Sequence, residues 1–306
     1  MIDLCGLLGK SKQGYYQQVK YIYKEEVKTE ILLQLIARER SSMPRLGGRK
    51  LLVRIQPRLP GELYIGRDAF FDFLRDKGLL VRKRKNRIKT TNSYHRYTSY
   101  RNLIKNLEAD RPNKVWVSDI TYIETAEGFG YLNLVTDAYS RKIIGWSIGR
   151  TLEAKYTIQA LQMAIDQLPE GTRDVIHHSD RGVQYCCDEY VMLLKKNHFQ
   201  ISMIENGDPR ENAIAERVNG ILKDEWLNQM KLTSIEEAFK QLVKIIMIYN
   251  QERPHLSLDM ETPEYAHNQT IKFKKLWKNY YKNQNQLYEG KKLSNFDKPN
   301  KMMVKH

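Results

Sequence analysis

The chain has 306 residues, of which 41% are hydrophobic and 28% charged, enough apolar content for a packed core and too much for wholesale disorder. Its longer apolar runs, such as Ile31–Leu33 and Ile245–Tyr249, fall far short of the roughly 18 residues that a membrane span needs. Cys5 and the adjacent Cys186 and Cys187 make neither a disulfide framework nor a Cys-x-x-Cys zinc site. The opening MIDLCGLLGKSK lacks a charged leader before a long apolar stretch, so no signal peptide is expected. The expectation is a soluble, intracellular chain with no membrane partner.

A net charge of +15 and a pI near 9.5 point to a polyanion partner, usually nucleic acid. The charge is unevenly spread: residues 1–110 carry net +13, residues 111–230 net −4, and residues 231–306 net +6. Basic flanks around an acidic middle suggest DNA-holding parts on either side of a site built from carboxylates.

Along the chain, Ile2, Leu4, Cys5, Leu7 and Leu8 form one short apolar set, Gly9–Ser11 interrupts it, and Gly14–Val19 resumes it. This is the rhythm of a helix-turn-helix, and equally of a plain helical hairpin. Val27, Ile31, Leu32, Leu35 and Ile36 keep helical period over 23–40, and Pro44 with Gly47-Gly48 ends it. Further short helices are predicted over Lys50–Ile55 and Arg67–Lys77, the latter stopped by Gly78. Val81–Lys89 then has six basic residues among nine: Arg82, Lys83, Arg84, Lys85, Arg87 and Lys89. Six like charges repel unless an anion answers them, so the segment reads as a phosphate-contacting arm. Residues 1–90 are thus expected to be a helical, basic DNA-binding region with its arm at 81–89, followed by a polar linker over 91–112.

From Lys114 the pattern changes. Val115–Ile123, Tyr131–Asp137 and Lys142–Ile148 are predicted strands of an antiparallel meander. Glu153–Leu168 follows as a helix, Asp174–His178 as a strand, Gln184–Asn197 as a helix and Phe199–Ile204 as a strand. Glu211–Gln229 and Ser234–Tyr249 complete the series as helices. This order makes an α/β class domain, a mixed sheet flanked by helices, over residues 113–268. Residues 269–306 read as a basic tail.

Three carboxylates stand out. Alternation puts Val115, Val117, Asp119, Thr121 and Ile123 on one face of the first strand, so Asp119 lies among apolar neighbours, where a charge must be paired or hold a metal. Asp137 shares that context, which alone does not decide between them. Asp180 leaves the end of a strand for a loop, where α/β sheets place reactive groups; a helix cap is the plainer reading. His177 and His178, adjacent on a strand, point to opposite faces and make no metal pair. Stepping about 100° per residue, Glu216 shares a polar stripe with Asn212, Asn219 and Lys223, opposite an apolar stripe of Ile214, Val218, Ile221 and Leu222. That stripe is either a solvated face or one that looks into a site.

Sixty residues separate Asp119 from Asp180 and thirty-five separate Asp180 from Glu216. Each acid has its own surroundings: Trp-Val-Ser-Asp-Ile-Thr, His-Ser-Asp-Arg-Gly-Val-Gln-Tyr, and Glu-Asn-Ala-Ile-Ala-Glu with Lys223 two turns on. This pattern resembles the DDE transposases and retroviral integrases, and most closely the second-frame protein of bacterial insertion sequences that encode their transposase in two overlapping frames. Tyr139–Trp146, and Tyr249-Asn250 through Arg253-Pro254-His255 to Thr262-Pro263, match as well, so the similarity runs from about residue 3 to 267.

The resemblance implies a ribonuclease-H-like core in which Asp119, Asp180 and Glu216 hold two Mg²⁺ ions, with Mn²⁺ able to substitute. It implies DNA strand cleavage and strand transfer on the element's terminal inverted repeats and target DNA, through an excised circular form. Lys223 would contact terminal phosphates or bases. Partners implied are a second copy of the chain on DNA and the upstream-frame protein, alone or fused; the place is the bacterial cytoplasm, at the nucleoid. Two departures are Glu211, where the third motif often begins with Asp, and the lack of the His/Cys zinc-binding domain of retroviral integrases. Two other classes share parts of the pattern. A catalytically retired DNA-binding regulator would show a lost carboxylate, and a ribonuclease-H-like repair nuclease would need no defined DNA ends.

Overall fold

The β-branched and aromatic segments after residue 114 pair into one five-stranded sheet. In the computed structural model, which describes residues 9, 11–82, 100–105, 107–205, 209–270 and 273, β1 (Val115–Thr125), β2 (Gly128–Asp137) and β3 (Ile143–Gly149) form the expected meander. Next come α4 (Ala154–Ile165), β4 (Ile176–Ser179), α5 (Val183–Cys186), α6 (Asp188–Lys196) and β5 (Gln200–Met203). The sheet order is β3-β2-β1-β4-β5, with β4 parallel to β1 and β5 parallel to β4. Three antiparallel strands extended by parallel ones, with helices on both faces, is the ribonuclease-H-like architecture expected from the sequence.

Alternation assigns the two faces. Trp116, Val135, Ile144, Ala160, Leu161, Tyr190 and Leu194 form a buried layer under α4 and α6. The approach of α4 to β3 is close: a Cβ at Gly145 would meet the Ala160 carbonyl oxygen at 2.1 Å, so only glycine fits. Val115, Val117, Ile176 and Ala215 form a smaller layer on the opposite face, under α7 (Ala213–Glu225). α8 (Ile235–Gln251) and α9 (Pro263–His267) complete the described chain.

The N-terminal helices are α1 (Lys12–Ser42), α2 (Gly48–Ile55) and α3 (Arg67–Asp76). Segments 14–19 and 23–40 form one 31-residue helix, capped by the Ser11 hydroxyl accepting from the Gly14 amide at 3.0 Å. The apolar set at 2–8, the first half of the helix-turn-helix expectation, lies outside the described residues. α1 is mostly exposed up to about Val27; further on Leu32, Ile36, Leu51, Ile55, Phe70 and Leu74 join a buried cluster that continues into Trp226, Leu242 and Tyr249 of the sheet-bearing region. Trp226 donates its indole N–H to the Ser42 carbonyl at 2.7 Å. The helices and the sheet therefore share one core.

Two expected helices are interrupted. Cys187 takes extended backbone, φ −65° and ψ 151°, and separates α5 from α6. Trp226, at φ −130° and ψ −68°, ends α7. Most of the basic arm and of the basic tail, and residues 91–99 and 106 of the linker, lie outside the described residues. No described helix is long and apolar enough to cross a membrane.

Candidate active site

β4 pairs with β1 over three residues only, ending at Val117 opposite His178. Two residues beyond that last pair lie Asp119 and Asp180. The two acids therefore leave neighbouring parallel strands at the same level and on the same face, where the strands part. Asp119 Oδ1 accepts from the Ile120 amide at 3.0 Å, and Asp180 Oδ1 accepts from the Gly182 amide at 2.9 Å. Burial, the Asp180 carboxylate and, more weakly, Glu216 push the Asp119 carboxyl up to about 7, while a hydrogen bond from Asn219 works against them.

The polar stripe of α7 runs along the part of β1 that β4 leaves uncovered. Asn212, just before the helix, donates to the Ser118 carbonyl at 3.0 Å. Asn219 donates to Asp119 Oδ2 at 2.9 Å. Lys223 donates to Thr121 Oγ1 at 3.1 Å, with its ammonium 3.8 Å above the Tyr122 ring. Ala215, Val218, Ile221 and Leu222 on the other side are buried. The stripe thus faces the acids, and Glu216 sits on it in the first helical turn, exposed and close enough for its charge to act on Asp119. Past Lys223, an open groove of about 640 Å³ continues between Tyr122–Ala126 and Asn228, Lys231 and Leu232.

The surroundings are built to hold strands in place. His177 Nε2 lies 2.8 Å from Ser118 Oγ and 2.9 Å from Tyr190 Oη, and His178 Nδ1 lies 2.8 Å from Ser202 Oγ on the opposite face. Burial pushes His177 down to about 3 and His178 down to about 4, so both are neutral struts. Asp137, fully buried, accepts from the Asn113 amide and from the amide and hydroxyl of Ser140. It ties down a turn, and so separates in role from Asp119.

Asp119, Asp180, Glu216 and Lys223 are thus gathered on one seam. Among the described residues, no group of three His, Cys, Asp or Glu side chains closes on one point as a metal cage. Arg82 is exposed at the end of the helical region, where its carbonyl accepts from Arg45 at 2.6 Å; Lys83, Arg84, Lys85 and Arg87 lie outside the described residues. Sequence reasoning placed Asn212 and Asn219 on the stripe but gave them no role. Their shared face with Glu216 was the available signal.

Two profiles described as "Integrase core domain" match the chain, over residues 109–209 and 197–263. The uncharacterized 31 kDa protein of insertion element IS600 from Shigella sonnei is 30% identical over 266 residues, covering 85% of this chain and 96% of that protein. The transposase InsF for insertion sequence IS3A of Escherichia coli is 36% identical over 164 residues, covering 53% of this chain and 57% of its own length. The putative transposase for IS986/IS6110 of Mycobacterium tuberculosis is 37% identical over 147 residues, 46% of this chain and 53% of its own length. Among solved structures, the HTLV-2 integrase catalytic core domain in complex with magnesium aligns at a TM-score of 0.41 and 20% identity, covering 51% of this chain and 97% of that one.

Proposed function

The chain belongs to the transposases of bacterial insertion sequences that carry an integrase core domain, and from that premise we propose that it is a metal-dependent enzyme that cuts DNA strands and joins the freed ends to new sites. The observation that carries this reading is the level placement of Asp119 and Asp180 where two parallel strands part, with the Glu216 face of α7 alongside.

Three carboxylates offer only hard oxygen donors, the set that Mg²⁺ prefers. Burial first, then the repulsion of Asp180 and more weakly of Glu216, hold the Asp119 carboxyl near 7, and a divalent cation would favour its charged form. Mg²⁺ uses one or two carboxylates and completes its shell with water and substrate phosphate, so Asp119 paired with Asp180 and with Glu216 suffices without a closed cage. Two bound ions supply stabilisation of the attacking and leaving oxygens in an in-line displacement at phosphorus.

The chain's own residues do the rest. Asp119, Asp180 and Glu216 would hold the ions, and Asn219 keeps the Asp119 carboxylate turned toward α7. Lys223 places a positive charge at the mouth of the groove, where a terminal phosphate or base would lie. Arg82, Lys83, Arg84, Lys85 and Arg87 add phosphate contacts that give affinity without sequence choice. No side chain serves as nucleophile: water attacks one phosphodiester and its P–O3′ bond breaks, leaving a 5′-phosphate and a free 3′-hydroxyl, which then attacks a second phosphodiester and displaces that bond's own 3′-oxygen as a hydroxyl. The substrates are the element's terminal repeats and target DNA. A second copy of the chain and the upstream-frame protein complete the assembly at the bacterial nucleoid.

The test is excision in cells. The gene is supplied with its flanking DNA and upstream frame, and DNA is amplified outward across the junction of excised circles. A junction product from wild type and none from Asp119→Asn, Asp180→Asn or Glu216→Gln is the expected result. Circles from any of these variants would overturn the triad.

A further inference from the structure

Tyr185 lies on α5, five residues after Asp180, and is 2% exposed. Its hydroxyl has no hydrogen-bond partner among the described residues. A buried polar group without a partner destabilises a fold, so its retention calls for a cause. The cavity does not forbid partners. Tyr190, 1% exposed and edge-on to Tyr185 at 5.4 Å, has its hydroxyl 2.9 Å from His177 Nε2. That nitrogen is shared with Ser118 and leaves nothing for Tyr185.

The turn that carries Tyr185 is the turn that carries Asp180. A Cβ at Gly182 would come within 3.0 Å of Asp180 Oδ1 and 3.7 Å of the edge of the Tyr185 ring, so the acid and the ring edge border the same turn. Besides burial, the charges that act on the phenol are those of Asp180, then Tyr190 and Asp119, and all of them raise its pKa well above the ordinary value. The phenol therefore keeps its proton, and both carboxylates lie near enough for their charge to act on it.

We propose that Tyr185 is a positioning residue for the active site: its hydroxyl donates to a carboxylate oxygen of the Asp180–Asp119 pair, Asp180 foremost, when that pair holds its divalent cations. This rests on the metal-dependent reading above. A carboxylate that gives one oxygen to a metal still has lone pairs to satisfy, and an outer donor that satisfies them fixes its orientation and basicity. An unspent donor beside the pair is the group that such a rearrangement would use. It explains why a phenol, and not a phenyl ring, fills this pocket.

The test measures metal binding by the full chain and leaves turnover aside. Mn²⁺ affinity is read from the electron paramagnetic resonance signal of the free ion for wild type, Tyr185→Phe, Tyr190→Phe and Asp180→Asn. Thermal unfolding is followed with and without Mg²⁺. Tyr185→Phe removes only an unpartnered hydroxyl, so its metal-free Tm should equal or exceed that of wild type. Its Mn²⁺ affinity should fall roughly tenfold, with a smaller rise in Tm on adding Mg²⁺. Tyr190→Phe should do the reverse, losing metal-free stability while keeping wild-type affinity. A Tyr185→Phe chain that binds Mn²⁺ as tightly as wild type would overturn the inference alone. A wild type that binds no better than Asp180→Asn would overturn the metal reading, and the inference with it.

Discussion

Asn219 reaches from α7 across the seam to β1 and donates to Asp119 Oδ2 at 2.9 Å. It is 4% exposed, and its own Oδ1 has no partner among the described residues. This hydrogen bond works against the burial and like charge that raise the Asp119 carboxyl. Asn219→Leu keeps the volume and removes the donor. The Asp119 pKa should then rise further above 7, as read by carbon NMR of the labelled carboxyl, and strand joining at pH 7 should slow roughly 10- to 100-fold. An unmoved Asp119 titration would mean that the contact does not orient the acid.

Asp119 itself opposes the metal-free fold. Its carboxyl is ordinarily near 3.8 and stands at about 7 here, so the folded chain binds this proton more tightly than the unfolded chain does. The stability it contributes is complete below about pH 4 and is lost as pH rises through 7. Asp119→Asn should therefore stabilise the metal-free protein at pH 8, by about 1–3 kcal/mol, and make no comparable difference at pH 4. Urea unfolding at the two pH values checks both halves of this statement.

Acid has the opposite effect elsewhere in the molecule. His177 and His178 are pushed down to about 3 and about 4, and His255 well below its ordinary value, in each case first by burial. Between about pH 4 and 6.5 the unfolded chain takes up these three protons and the folded chain does not. Asp119 takes up one proton the other way, so the net is about two. Stability should then fall by roughly 2.7 kcal/mol for each pH unit of acidification in that window. His255→Gln should remove about one proton from the slope. A slope unchanged in that variant would show that His255 is not held neutral.

The strand segments were legible because residues 115–123 are rich in β-branched and aromatic side chains, and their facing because side chains alternate along a strand; burial itself does not alternate here, since helices cover both faces and Val115 to Ser118 are all buried. Of the acids only Asp119 interrupts an apolar strand, a context that Asp137 shares; the three became legible together, through their spacing and the surroundings of each. What the sequence concealed was decided by distant contacts. Nothing local in residues 211–229 announces a break at Trp226; the helix stops there because the indole enters the shared core and binds the Ser42 carbonyl, 184 positions away in the chain. Cys187 breaks the expected helix over 184–197 because Tyr185 and Cys186 turn inward under the sheet while Asp188 and Glu189 open a new first turn. The stripe on α7 could be drawn from spacing alone, but a wheel does not say which side faces an acid. Asn219 gained its role only when β1 lay beside it.

Glu225 joins the ends of α7 and α8 through Arg253 and reaches the helical region through Lys50. Arg253, 1% exposed, donates Nε and Nη2 to the two carboxylate oxygens of Glu225 at 2.7 and 2.6 Å. Lys50 of α2 approaches the same carboxylate at 3.4 Å. Burial works to raise the Glu225 carboxyl, but the hydrogen bonds and charge of Arg253, with Lys50, outweigh it and hold it below its ordinary value. Burial and the nearby Arg253 push Lys50 down to about 8. A buried pair adds little over an apolar pair of the same shape, yet removing one partner strands the other. Glu225→Gln leaves two cations facing each other with no counter-charge, and should cost about 3–5 kcal/mol in urea unfolding. Glu225→Leu combined with Arg253→Met should cost less than Glu225→Gln alone, so that the two substitutions are strongly non-additive. The lowered Glu225 carboxyl contributes stability above about pH 4.5 that is lost as pH falls through its folded value, so the penalty of Glu225→Gln should shrink in acid. A penalty that is the same at pH 4 and pH 7, or additive with Arg253→Met, would mean that the charge of Glu225 is not what holds this junction together.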